Sequence, residues 1–328
     1  MCARIGRVTG KGLAANIKTV FPRPVVGGAV LLLLLANILN IAADVAAMGE
    51  TAELVTGVNR HAMTVVFCLV TLLAQVLIPY HRYLFFLKWL AFTLLAYAAV
   101  LFTVHVPWSK VALHTFWPRF TPDGASATMI VALFGTTISP YLFFWQASEE
   151  VEDMRAPPHA TALLRNAQPA ERELRRIRWD TWSGMFYSNL TAYFIILATA
   201  VTLHAAGVTR IETAAQAASA LRPLAGDFAF LLFALGILGV GLIGVPVLAG
   251  SGAYALAEVM NWQWGLERRA TDARGFYGVI AVPLIVMVMV LVFKHSVMGR
   301  FPASRVVIAL GCVAVVVMGT AAVSMFTR

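Results

Sequence analysis

Three groups of residues in this sequence could do chemistry. The first is Gly135-Thr136-Thr137-Ile138-Ser139-Pro140-Tyr141, which interrupts the apolar stretch 124–149 near its middle. Pro140 supplies no N–H and its ring clashes one turn back, while Gly135 and the hydroxyl residues lower helix propensity around it. A helix broken at membrane depth frees backbone carbonyls, and freed carbonyls are tolerated there only where they line a cavity or coordinate something. Discontinuous helices of this kind build midplane ion sites in secondary transporters. A plain proline kink with Ser/Thr back-bonding is the structural alternative.

The second group is Asn37, Asn40 and Asp44, spaced i, i+3 and i+7 within another apolar run, a spacing that puts them on one helix face. A carboxylate inside a membrane segment is costly and marks a functional site by default. A wetted position near the outer interface, close to Glu50, is the bland reading. The third group is Glu149, Glu150, Glu152 and Asp153 at the end of the broken stretch. Acids at a helix C-terminus oppose the macrodipole. They suit either a cation vestibule or pairing with the arginines that follow.

The elements that position these groups are membrane helices. The chain has 328 residues, of which 60% are hydrophobic and only 12% charged, with a mean hydropathy of +0.78. A soluble domain runs near 45–50% apolar and about 25% charged. The net charge of +9 sits in short loops between apolar runs, so it carries topology and does not indicate nucleic acid. Cys2, Cys68 and Cys312 are far apart and form neither a disulfide framework nor a thiolate metal site. No nucleotide-binding loop, HExxH or Ser/His/Asp order is present, so the chain reads as no enzyme and needs no cofactor.

Runs of about 20 apolar residues give eight spans at roughly 25–48, 61–80, 83–106, 124–149, 181–205, 227–257, 275–293 and 305–327. The fold class is therefore all-α, a single polytopic membrane helix bundle over 1–328, embedded in a lipid bilayer. Segment 108–120, with Trp108, Phe116 and Trp117, suits an interfacial helix, and 211–224 is too polar to span. Gly236, Gly239, Gly241 and Gly244, followed by Gly250 and Gly252, mark close helix packing in the sixth span.

Basic loops face the cytoplasm. This puts residues 1–24 inside, loop 49–60 outside, turn 79–82 with His81 and Arg82 inside, and 107–123 outside. Loop 150–180, with six arginines from Arg155 to Arg178, is inside; 206–226 is outside and 261–274 inside. The alternation then fails, because loop 294–305 is basic again after a single span. A span missing between about 270 and 285 would account for it and would make the chain incomplete.

The motifs Gly135–Phe143, Asn40–Gly49 and Val245–Ser251 resemble the Nramp family of divalent metal transporters, more closely its bacterial branch with an altered sixth helix, which includes magnesium transporters. The resemblance runs through nearly the whole chain. It implies an inverted-repeat fold of about eleven helices, with a metal site between two broken helices, the first and the sixth. The eight spans would correspond to family helices three to eight and the last two, with Met1–Arg7 similar to the cytoplasmic end of helix two. The first helix, with its Asp-Pro-Gly-Asn ligands, and helix nine would then be absent, as in an N-terminally truncated, incomplete version of the fold.

On that resemblance Ser139 stands where the family has Met, Tyr141 where it has His, and Thr136 at the position offering a carbonyl. A site without sulfur suits hard cations such as Mg²⁺ or Mn²⁺. Asp44 matches an acid of the family's proton route, while the acid one turn later is replaced by Ala47. The implied function is secondary transport of divalent cations of the Mg or Mn class across the inner membrane, inefficient in a chain lacking the first helix. A non-transporting membrane scaffold and an organic-solute carrier on the same fold are the rival readings. The sequence does not indicate an oligomeric state.

Overall fold

The computed structural model describes residues 1–78, 85, 88–117, 124–137, 139–155, 161–166, 168–208, 210–211 and 213–293, with backbone only for Ala125, Thr136, Leu224, Ala225 and 287–293. The turn 79–82, loop 294–305 and span 305–327 of the sequence reading lie outside these residues. Every regular element among the described residues is helical. Two short helices, α1 (Cys2–Thr9) and α2 (Leu13–Val20), precede α3 (Arg23–Thr56) and α4 (Arg60–Leu77). A single 3₁₀ turn leads into α5 (Leu95–Val100), and α6 (Trp108–Phe116) follows. Then come α7 (Gly124–Thr137), α8 (Pro140–Arg155), α9 (Ala170–Thr199), α10 (Ala214–Met260) and α11 (Arg274–Phe293).

Among the described residues five helical stretches are long and apolar enough to cross a membrane: Arg23–Thr56, Arg60–Leu77, Ser126–Arg155, Ala170–His204 and Gly226–Met260. Lys88–Val100 and Arg274–Val286 are shorter apolar helices. Seven of the eight sequence spans thus fall on helices. α6 is short and exposes Trp108, Phe116 and Trp117, as an interfacial helix would. Segment 214–225 is helical but does not belong to the span, because Gly226 at φ 87° breaks α10 there. Glycine reaches that left-handed region without the Cβ clash that other residues meet.

The core forms where α10 runs antiparallel to α3. Leu34 and Asn37 face Gly252, Asp44 faces Gly244, and Met48 faces Gly241. Without hydrophobic drive between helices in lipid, close approach at small residues is what holds such pairs together. The same helix receives Thr93 and Tyr97 against Gly239 and Gly236. The glycine row of the sequence is therefore a packing surface with two partners.

The loops sort by end. Residues 1–24, the arginine-rich 150–180 stretch and 261–274 meet at one end, where Arg7 pairs with Glu173 at 3.2 Å and the Arg155 guanidinium lies 4.1 Å from the Trp264 ring centroid. Loops 49–60 and 206–226 meet at the other end. There Glu50, Glu53 and Arg60 share a depression of about 520 Å³ with Thr213 and Gln216. This grouping is the one the charge count requires.

Residues 1–24 are more than a basic tail. α1 lies against α8 so closely that a Cβ on Gly6 would collide with the backbone of Ala147. Leu163 and Leu164 donate their N–H groups to the carbonyls of Arg7 and Val8, at 3.2 and 3.1 Å, closing the end of α1. Because a backbone atom cannot swing aside, Gly6→Val should lower stability by about 1–3 kcal/mol, the cost of overpacking. Gly28→Val, which meets nothing within 4 Å, should leave it unchanged. Thermal unfolding in detergent, followed by size-exclusion fluorescence, checks the pair.

Candidate metal centre

The broken stretch is two helices. α7 stops at Thr137 and α8 begins at Pro140, leaving Ser139 between them, 8% exposed. In an unbroken helix the carbonyl of Thr136 would accept from residue 140, but that residue is Pro140, which has no N–H. Thr136 itself lies in the last turn of α7, before the gap; its side chain is outside the described residues. Ser139 Oγ reaches back toward the Gly135 carbonyl at 3.5 Å, and the Leu142 N–H donates to the Ser139 carbonyl at 3.2 Å.

Tyr141 is half-buried against the main core. Its hydroxyl is within hydrogen-bonding reach of Ser139 and within electrostatic reach of Asp44. Asp44, half-buried on α3, rests on Gly244 of α10, where a Cβ would stand 3.3 Å from Asp44 Oδ2. Ser139 and Tyr141 are thus neighbours at the break, and Asp44 on α3 acts on Tyr141 through its field.

Asn37 and Asn40 separate from Asp44 in role. Asn37 is 3% exposed and donates through Nδ2 to the Leu248 carbonyl at 2.8 Å and to Ser251 Oγ at 2.9 Å. It is a helix-to-helix clasp. Asn40 is exposed, because a step of three residues falls about 60° short of a full turn and carries it off the buried stripe. The shared face reduces to Asn37 and Asp44.

The acids after the break divide among partners. Glu150 is buried and paired with Arg176, which also contacts Glu173 at 3.2 Å and Asp180 at 3.5 Å. Glu152, also buried, accepts from the Tyr254 hydroxyl and from backbone N–H groups at 266–267. A small cavity of about 170 Å³ lies between Glu149, Glu150, Asp153, Arg176 and Asp180. Pairing with the arginines accounts for Glu150, and a tyrosine that the sequence reading did not connect accounts for Glu152.

Among the described residues no group of three or more His, Cys, Asp or Glu side chains converges in a way that could hold a metal ion. The Thr136 carbonyl, the Ser139 hydroxyl and the Tyr141 phenol at the break are all oxygens, and Asp44 faces them from α3 only through its field. This oxygen set suits hard cations more than soft ones.

These features define a polytopic all-α membrane bundle with a broken helix. The chain belongs to the Nramp family: the family model "Natural resistance-associated macrophage protein-like" matches residues 1–293. It is 27% identical over 259 residues to the "Divalent metal cation transporter MntH" of Klebsiella pneumoniae subsp. pneumoniae, covering 76% of this chain and 59% of that protein. It is likewise 27% identical over 260 residues to the protein of the same name in Agrobacterium fabrum, covering 74% of this chain and 52% of that one. The chain thus spans between half and three-fifths of the length of the curated relatives it matches.

Asn37 is the member of the α3 face whose role is mechanical. Asn37→Leu removes both bonds to α10 and should cost about 1 kcal/mol, the scale of an interhelical hydrogen bond in a membrane. A thermal midpoint equal to that of the unaltered chain would remove Asn37 from the seam.

Proposed function

We propose that the chain takes part in moving divalent cations across the inner membrane, and that the cation meets it at the break between α7 and α8. The observation that carries this reading is the buried Ser139 between two helix ends, beside Tyr141 and the membrane carboxylate Asp44. The two relatives named above are described as divalent metal cation transporters, which supports the same class of solute. Thr136 offers the carbonyl that Pro140 leaves without a donor. Ser139 offers a hydroxyl or a water-mediated contact, and Tyr141 forms the lower wall. Asp44 acts through its field or as a proton relay rather than as a direct ligand.

The preferred ion is Mg²⁺ or Mn²⁺. Hard cations take oxygen ligands, and a site with hydroxyl, carbonyl and water offers nothing that favours a soft metal over them. A thioether at this place would reverse the preference. In isothermal titration of the purified chain, Ser139→Met should raise the affinity for Cd²⁺ relative to Mn²⁺ by about tenfold. An unchanged ratio would take Ser139 out of the site, and no saturable binding of either ion to the unaltered chain would overturn the cation reading.

The arginine-rich end is the cytoplasmic one on this reading, since the six arginines of loop 150–180 resist translocation. Leu164 lies in that loop and is 74% exposed. In a background with Cys2, Cys68 and Cys312 replaced by Ser, Leu164→Cys should resist an impermeant maleimide in intact cells and react after permeabilisation. Reaction in intact cells would reverse the orientation.

A further inference from the structure

Glu258 stands near the end of α10, 4% exposed, where α2 and α8 both arrive. Its Oε1 accepts from Ser148 Oγ of α8 at 2.6 Å, and its Oε2 accepts from the Ala15 N–H at 3.2 Å. The Ala14 N–H faces the same carboxylate. Ala14 and Ala15 belong to the first turn of α2, whose own N-cap is Gly12, a residue with no side chain to accept anything. The first N–H groups of a helix need acceptors, and here a carboxylate from another helix supplies them. Gly12 permits it, because a Cβ there would fall on the Glu258 carboxylate.

The exchange is reciprocal. Lys18, in the last turn of α2, donates Nζ to the Val259 carbonyl at 2.9 Å. That carbonyl belongs to the last turn of α10, which Asn261 closes in the left-handed region at φ 55°. An anion at one helix N-terminus and a cation at the other's C-terminus both complement the macrodipoles. Arg155 acts on Glu258 only through its field, so the hydrogen-bond partners of the carboxylate are a hydroxyl and the amides that open α2, all neutral. A buried anion held by neutral donors is stable only while they stay in place.

Ser148 rides on α8, nine residues beyond Ser139, a rise of about 13 Å along a rigid helix. Any tilt of α8 that widens the arginine-rich end must part Ser148 from Glu258 or drag α2 along with it. We propose that Glu258 is a latch: its carboxylate ties α2 and α8 to α10, holds shut the arginine-rich end of the route to the helix break, and opens that end when released. The latch does not depend on which solute meets Ser139, so its test reads access to the break and not transport.

The test uses the cysteine-free chain with one reporter, Tyr141→Cys, in liposomes whose sidedness is scored separately with Leu164→Cys. A charged methanethiosulfonate is applied to one face at a time. Glu258→Ala should speed modification from the arginine-rich face about tenfold, the worth of one hydrogen bond to a charged group, and leave the rate from the opposite face equal or lower. It should also speed amide hydrogen exchange at Ala14 and Ala15. Ser148→Ala keeps the carboxylate, and should speed modification from the arginine-rich face while leaving exchange at those two amides unchanged. Rates unchanged in both variants, or raised equally from both faces, would overturn the latch. Should Glu258→Ala not fold, the rate in Ser148→Ala decides alone.

Discussion

A peptide group in hydrocarbon has no water to fall back on, and the break at Ser139–Pro140 sets the terms for everything around it. The break removes a donor from the Thr136 carbonyl and starts a new helix, whose Leu142 N–H turns back to the Ser139 carbonyl. Polar side chains gather there for that reason: Ser139, Tyr141 and, across on α3, Asp44. The same break turns α8 into a free-standing rod that must be held from below. Ser148 and Glu152 lie one turn apart and face α10, reaching Glu258 and Tyr254. Glu150, two residues from each, points the other way and reaches Arg176 of α9. Three residues within little more than one turn thus fix the rod on two sides.

The glycine seam makes this arrangement affordable in space. α10 can approach α3 and the Thr93–Tyr97 region only because it presents hydrogen where other helices present side chains. Gly250 leaves room for the Trp145 ring, which meets Tyr254 edge-on at 5.7 Å. Tyr254 in turn sits between Trp264 and Phe276 at 5.5 and 5.0 Å. A single aromatic with a polar tip therefore closes the core and satisfies Glu152, and apolar packing and polar satisfaction become one requirement.

What was legible in the sequence was what depends on pattern within one segment. The apolar runs gave the spans, Pro140 gave the break, and the glycine row gave the packing face, because each signal is local and strong. The loop charges gave the sorting of ends for the same reason. Pairings between segments were not legible. Glu152 carries no mark that its partner is a tyrosine 102 residues away, and Glu258 looks like any acid near a helix end. The one available signal was that Glu258, like the acids of α8, opposes its own helix dipole, so its reason had to lie in another element. Residues 1–24 read as a basic tail, since two short helices without caps of their own give little periodicity to detect. Asn40 leaves the face that Asn37 and Asp44 share, because a step of three residues is short of a full turn.

The two halves of the broken stretch differ in a way that bears on how such a chain could move. α8 is buried and bound from Phe144 to Met154, whereas α7 exposes Met129, Val131 and Phe134. Motion about the break is resisted below by specific bonds, each with a defined partner; above, no described residue of α7 is buried. Directional bonds make and break in discrete steps, so they give the lower half a small number of definite positions. The definite position seen here is the one in which Ser148, Glu150 and Glu152 are all satisfied at once.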